Sequence, residues 1–188
     1  MPVKPSDSLS RGAFKTVEGW CAAAWTDKGV SALIINQVSK EKALQKIVNY
    51  LPPLSPHFWN KPLGLVPVLV KKETKKALIG KKFETVPIDL FFMTRFQQAV
   101  LNVTAQIPWG QTRTYGWVAA KAGSPRGFRA AGQALNRCPI SLLIPCHRVI
   151  AGGSQLGGYG RELNWKIRQL KLEKVNVKRA SDGSYKVH

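Results

Sequence analysis

Long hydrophobic runs are missing from this chain. No apolar stretch reaches the roughly 18 residues that a membrane-spanning helix needs, and the opening Met1-Pro2-Val3-Lys4-Pro5 has no apolar segment of the kind a secretion signal requires. An intracellular, cytoplasmic protein without membrane contact is expected. Cysteine is scarce: only Cys21, Cys138 and Cys146 occur, with no Cys-x-x-Cys pair. An odd, sparse set argues against a disulfide framework. The three histidines, His57, His147 and His188, are far apart, so no zinc-ligand spacing exists and no metal is expected. Acid is the third deficit. Against 29 Lys and Arg stand 10 Asp and Glu, a net charge of +19. An imbalance of that size favours a polyanionic partner. Arg11 apart, every arginine lies after Asp89, while the first half is basic through lysine. Arginine makes bidentate contacts with phosphate and stacks on bases, so the second half is the expected contact surface.

What is present reads as a folded chain of one or two small domains, with 188 residues and 44% hydrophobic content. Residues 1–11 look like a loose arm. Residues 19–25 and 30–35 read as a hairpin around the Asp27-Lys28-Gly29 turn. Ser39 caps a helix carrying Leu44, Ile47, Val48 and Leu51 at helical spacing. Residues 66–70 and 82–86 read as strands. Thr94 caps a long helix with a core face of Phe96, Ala99, Val100 and Val103. Thr114 caps a short helix through Ala122, which Gly123 closes. Ser124 caps a further helix with Pro125 at its first position. On that helix Arg126, Arg129, Gln133 and Arg137 share a face that carries no acid, and Phe128, Ala131 and Leu135 share the other. Two short helices joined so tightly read as a helix-turn-helix. A last helix from Leu163 turns Ile167 and Leu170 inward and ends near Glu173. The residues after Val177 read as a basic tail, disordered.

The chemistry concentrates in Leu142-Leu143-Ile144-Pro145-Cys146-His147-Arg148-Val149-Ile150. The apolar run reads as a buried strand that Pro145 ends. Cys146 then sits at the end of a rigid element, with His147 as an adjacent base and Arg148 as a nearby positive charge. A base or cation beside a thiol raises the reactive thiolate fraction. Set next to a basic helix, this nucleophile points to chemistry on nucleic acid itself.

Ile-Pro-Cys-His-Arg-Val resembles the active-site motif of the O6-alkylguanine-DNA alkyltransferases, the methylated-DNA–protein-cysteine methyltransferases. The resemblance is close over residues 80–173 and loose before them. It implies an α/β protein: a small N-terminal, ribonuclease H-like α/β domain (residues 1–86) with a structural role, and a mostly helical C-terminal domain (residues 87–176) with a helix-turn-helix that binds DNA and accepts the alkyl group. Residues 177–188 remain a basic tail. By similarity, Cys146 takes the alkyl group irreversibly from O6-alkylguanine, and from O4-alkylthymine, in a single turnover. His147 draws the thiol proton through a water, and Glu173 orients the imidazole. Tyr115 rotates the target nucleotide and protonates the departing guanine. Arg129 fills the gap in the stack. Tyr115, Gly116, Arg126, Gln133 and Arg137 contact double-stranded DNA through the minor groove. Leu135, Val149, Tyr159 and Gly160 form the pocket for the flipped base. The resemblance implies no cofactor, a monomer, and a cytoplasmic protein, nucleoid-associated or nuclear depending on its source. Two positions depart from the family pattern. Cys138 stands where asparagine usually ties the recognition helix to the active-site loop, a task Asn136 is placed to take over, and Ser141 stands where a proline is common. The competing readings are a non-catalytic, alkyltransferase-like lesion-binding protein, a helix-turn-helix regulator and a cysteine hydrolase.

Overall fold

The computed structural model describes residues 9–51, 63–157 and 163–188. They form a mixed α/β protein whose chain divides into two compact units, residues 1–75 with 84–92 and residues 76–83 with 93–188.

The first unit is built on a three-stranded antiparallel sheet in the order β1 (Ser10–Thr16), β2 (Gly19–Thr26), β3 (Gly29–Gln37). The β2–β3 hairpin is the expected one. β1 is not: it begins inside the stretch read as a loose arm, and Phe14 on it pairs with Cys21. α1 (Lys40–Tyr50) follows, with Ser39 as its N-cap accepting from the Lys42 N–H. Its Ala43 and Ile47 pack with Ala22, Ala24, Ala32 and Ile34 of the sheet. Alanines at those positions let helix and sheet backbones approach closely. Two expected strands are absent. Residues 66–70 instead open α2 (Val68–Leu78), whose first turn hangs from the Pro67 carbonyl, accepting from the Lys71 N–H at 3.1 Å. Proline is tolerated at that end of a helix because no intrahelical donor is needed there. Residues 82–86 form no strand, and Ile88 makes a single parallel bridge to Val30.

In the second unit α3 (Arg95–Ala105) carries a full capping box between Thr94 and Gln97. Its buried face is Val100, Leu101 and Thr104, with Phe96, Ala99 and Val103 only half-buried. β4 (Arg113–Thr114) leads into α4 (Tyr115–Lys121), capped by Thr114. Gly123 takes φ +84° just after the helix, the left-handed conformation its position calls for. α5 spans Phe128–Asn136. It starts later than Ser124 and Pro125 imply, because the Gly127 N–H closes a turn on the Ser124 carbonyl at 2.8 Å. Arg126 therefore precedes the helix and Arg137 is its C-cap, while Arg129 and Gln133 lie on it, exposed. Phe128 is also exposed, not on the buried face with Ala131 and Leu135.

Residues 142–144 are buried but form no strand. They turn, with Leu142 at φ +88°, and a single 3-10 turn Cys146–Arg148 leads into β5 (Val149–Ile150). A short apolar run reports burial without fixing the backbone. β5 pairs in parallel with β4, Arg113 opposite Val149 and Thr114 opposite Ile150. α6 (Leu163–Leu172) follows. The residues read as a disordered tail instead form an antiparallel hairpin, β6 (Val177–Arg179) with β7 (Tyr185–Val187). Val177, Tyr185 and Val187 pack on Ile167 and Leu170 of α6, so apolar burial offsets the cost of ordering them. Among the described residues no helix is long and apolar enough to cross a membrane.

Candidate active site

Three pieces of the second unit meet around Cys146. The β4–β5 ladder sets the start of α4, and so Tyr115, beside the 3-10 turn. α6 packs on the same turn and brings Lys166 and Glu173. The end of α5 brings Leu135 and Cys138. Cys146, His147, Arg148, Lys166 and Glu173 are all buried.

Glu173 is the hub. One carboxylate oxygen, Oε1, lies 2.9 Å from His147 Nε2 and accepts from Arg148 Nη2 at 2.7 Å. The other, Oε2, accepts from Arg148 Nε at 2.8 Å and from the Gly110 N–H at 3.2 Å. Burial works to raise this carboxyl, but the hydrogen bonds from His147 and Arg148 outweigh it and hold it at about 2. It is therefore ionised and can only accept. Burial pushes the His147 imidazole below its ordinary value, against the opposing pull of Glu173. A neutral imidazole facing a carboxylate through Nε2 must carry its proton there. Nδ1 is left as the basic nitrogen.

The thiol differs from expectation in two ways. Cys146 is held well above the usual thiol value, first by the Cys138 side chain that hydrogen-bonds it and then by burial. No thiolate is stored at rest, so its proton has to leave as the new bond forms. Nor is Arg148 the activating charge. Its guanidinium is spent on Glu173 and on the Ile107 carbonyl. The cation that favours a Cys146 thiolate is Lys166.

Lys166 escaped the sequence reading. Its Nζ donates to the carbonyls of Val149 and Leu156, each at 2.6 Å, and lies 5.9 Å from the centre of the Tyr115 ring. Burial lowers its ammonium to about 8. Its position was legible as a lysine on the apolar face of a helix, at i+3 from Leu163 and one residue before Ile167. A lysine whose folded value lies below its unfolded one binds more protons when unfolded between the two, so stability rises with pH there. From pH 8 to 10 the parent is expected to gain about 2 kcal/mol of stability relative to Lys166→Met. Urea unfolding of both proteins at the two pH values checks this, and a parent-minus-variant difference that does not rise with pH would contradict it.

Tyr115 is half-buried, its hydroxyl raised by burial and then by the nearness of Cys146, so it stays protonated. Its ring is framed by two glycines. A Cβ on Gly132 would sit 3.8 Å from it, and one on Gly157, at φ +71°, would sit 3.1 Å away. Leu135 and Val149 are buried and Gly116 is half-buried. Arg126, Arg129, Gln133 and Arg137 are exposed, with the Arg129 guanidinium 5.7 Å from the Phe128 ring centre. Tyr159 and Gly160 lie outside the described residues. The two departures are placed as well. Cys138 is buried, Ser141 donates its hydroxyl to the Cys138 carbonyl at 3.3 Å, and Asn136 is exposed. No group of three or more His, Cys, Asp or Glu able to hold a metal occurs among the described residues.

Comparison with known proteins finds relatives of this chain. Residues 95–175 match the family model of the 6-O-methylguanine DNA methyltransferase DNA binding domain. The methylated-DNA–protein-cysteine methyltransferase of Mycobacterium leprae is 49% identical over 84 residues, which cover 45% of this chain and 51% of the relative's length. The chain thus spans about half of that relative. The enzyme of that name from Methanothermobacter thermautotrophicus is 37% identical over 159 residues, 81% of this chain and 78% of its own. Among solved structures, Mycobacterium tuberculosis OGT in complex with DNA superposes with a TM-score of 0.67 at 29% identity, covering 88% of this chain and 93% of that one. The long match to the Methanothermobacter relative, together with the buried Cys-His-Glu centre, places this chain in the methylated-DNA–protein-cysteine methyltransferase family.

Proposed function

We propose that this protein repairs DNA by moving the alkyl group of O6-alkylguanine, and of O4-alkylthymine, onto Cys146 in a single irreversible turnover. The observation that carries the reading is the buried pair itself: His147 Nε2 lies 2.9 Å from Glu173 Oε1, so a neutral imidazole donates a hydrogen bond there and keeps Nδ1 free as a base. The resting thiol then loses its proton to Nδ1 through one water as sulfur attacks the alkyl carbon. The carbon–oxygen bond breaks, and the protonated Tyr115 hydroxyl supplies the proton that the departing guanine needs. Lys166 steadies the developing thiolate. A thioether is a poor leaving group for water, so nothing regenerates the sulfur. This is the nucleophile–base–orienter logic of a hydrolase triad without its second step.

The target atom lies inside the duplex, so the nucleotide has to be rotated out of the stack. In this reading α4 and α5 act as a helix-turn-helix. Arg126, Gln133, Arg137 and the Gly116 backbone hold the minor groove, and Arg129 fills the vacated space. The flipped base enters a pocket with Leu135 and Val149 among its walls, and with Tyr159 and Gly160 by family resemblance. The N-terminal part, a ribonuclease H-like domain, is structural. The protein works as a cytoplasmic monomer without a cofactor. A lesion-binding relative that lacks the acceptor is disfavoured by Cys146 itself.

The test is stoichiometry. Incubated with excess O6-benzylguanine oligonucleotide, the protein should gain one benzyl group per chain, found by mass spectrometry on the peptide holding Cys146. Multiple turnovers, or label elsewhere, would sink the proposal. Arg129→Ala should slow transfer from duplex by about 10- to 100-fold, since base extrusion costs a few kcal/mol. Transfer from free O6-benzylguanine should be nearly unchanged. Equal slowing of both would remove Arg129 from the extrusion step.

A further inference from the structure

The β6–β7 hairpin lies past residue 175, where the family match ends. It nonetheless reaches the loop that follows β5. The Leu156 N–H donates to the Tyr185 carbonyl at 3.0 Å, and Gln155 makes an antiparallel bridge to Lys186. Residues 155–156 thus add to the edge of β7 that β6 leaves free. The Leu156 side chain is buried in one apolar cluster with Ile167 and Leu170 of α6, and Val177, Tyr185 and Val187 of the hairpin pack against it.

Two short connections lead from Leu156 to the reacting centre. Its carbonyl accepts from Lys166 Nζ at 2.6 Å, and that ammonium lies 5.9 Å from the centre of the Tyr115 ring. The next residue, Gly157, lies so close to Tyr115 that a Cβ on it would be 3.1 Å from the ring. The loop between β5 and Leu156 is poorly suited to hold this shape by itself. Gly153, Ser154 and Gly157 take φ of +66°, +62° and +71°, and a Cβ on Gly152 or Gly153 would meet nothing within 4 Å. Glycine loses more backbone freedom on ordering than any other residue, so such a segment keeps one conformation when a neighbour fixes it.

We propose that Tyr185, with the hairpin it belongs to, positions residues 151–157 for the reaction: by fixing Leu156 it holds Lys166 and Gly157 beside Tyr115 and so sets how tightly the alkylated base is bound. The inference rests on the reading of this centre as the site of alkyl transfer. Tyr185 is a positioning residue that acts through Leu156. The hairpin orders the loop before the base arrives, so the ordering is not drawn from the affinity for the base.

The experiment uses the full chain and free O6-benzylguanine, so that DNA contacts do not enter. Two substitutions release the loop by different routes. Tyr185→Ala removes the ring from the cluster. Gly183→Val leaves every apolar side chain in place and strains the turn, where φ is +82° and a β-branched residue is strongly disfavoured. In both, the O6-benzylguanine concentration that gives half the maximal labelling rate should rise about 3- to 10-fold. The end point should stay at one benzyl group per folded chain. Tyr185→Phe keeps the ring and should behave as the parent. A hairpin that only stabilises the fold would lower the fraction of chains that label and leave the half-saturating concentration where it was, and that result overturns the proposal. Where Tyr185→Ala does not fold, Gly183→Val decides alone.

Amide hydrogen exchange reads the anchor without any substrate. The Leu156 N–H should exchange as slowly as the ladder amides of β6 and β7, and should quicken together with them in Gly183→Val. Fast exchange at Leu156 in the parent would overturn the proposal as well. A protected Leu156 in a protein that never takes up benzyl refutes the proposed function and leaves the anchoring standing.

Discussion

A Cys146→Ala protein is expected to transfer no alkyl group and yet hold duplex DNA as tightly as its parent. The sulfur is the sole atom in this mechanism that forms a bond to the lesion, and its loss should slow transfer by on the order of 10³ or more. The exposed arginines 126, 129 and 137, by contrast, are untouched. Cys138 is a second buried free thiol of the same unit, fixed just after α5 by its N–H on the Leu135 carbonyl, and it should not take over. Benzyl incorporation by mass spectrometry and a DNA titration at fixed salt together decide the matter. Label on Cys138 in the variant, or a loss of affinity of tenfold or more, would separate binding from chemistry less cleanly than this account requires.

The second large effect is expected from Arg148→Ala, in stability. Arg148 donates twice to Glu173 and once to the Ile107 carbonyl, and both ends of the pair are buried. Removing one partner of a buried ion pair leaves the other charge uncompensated, at a cost of about 3–5 kcal/mol. Glu173 would respond by moving up toward and past its ordinary value, because burial would then be opposed chiefly by His147. A carboxyl with a depressed folded value contributes stability above its unfolded 4.5, and that contribution is lost as pH falls toward about 2. The parent should keep this contribution deeper into acid than Arg148→Ala does. Urea unfolding of the two proteins, and of both on a Glu173→Gln background, isolates the coupling. A loss under about 1 kcal/mol, or the same loss on both backgrounds, would show that the pair is not what holds the centre together.

Much of this centre was readable in advance because its chemistry is local in the chain. Cys146, His147 and Arg148 are consecutive, and Thr94, Thr114 and Ser39 announce their helices through capping, which depends on neighbours only. What escaped is non-local or ambiguous in period. Val66-Pro67-Val68-Leu69-Val70 is as β-branched as a strand, yet the lysine-rich residues behind it and the Pro67 carbonyl make it the start of α2. The C-terminal hairpin was hidden by its charge. Its Asp182-Gly183 turn, with Asp182 accepting from the Ser184 N–H and hydroxyl, is a strong local signal that the basic composition masked. Lys166 escaped because a charged residue on an apolar helix face has a meaning only once the carbonyls it meets are known. The role expected of Arg148 was displaced for the same reason: proximity in sequence to Cys146 said nothing about Glu173, 25 residues on.

The β4–β5 pairing is only two rungs long, Arg113 with Val149 and Thr114 with Ile150. So short a splice acts as a ruler between distant stretches of chain. Side chains along a strand alternate, so a slip of one position would swing Tyr115 away from the sulfur it serves. Inserting or deleting a single residue between Ile107 and Thr112 should therefore be tolerated worse than many substitutions there.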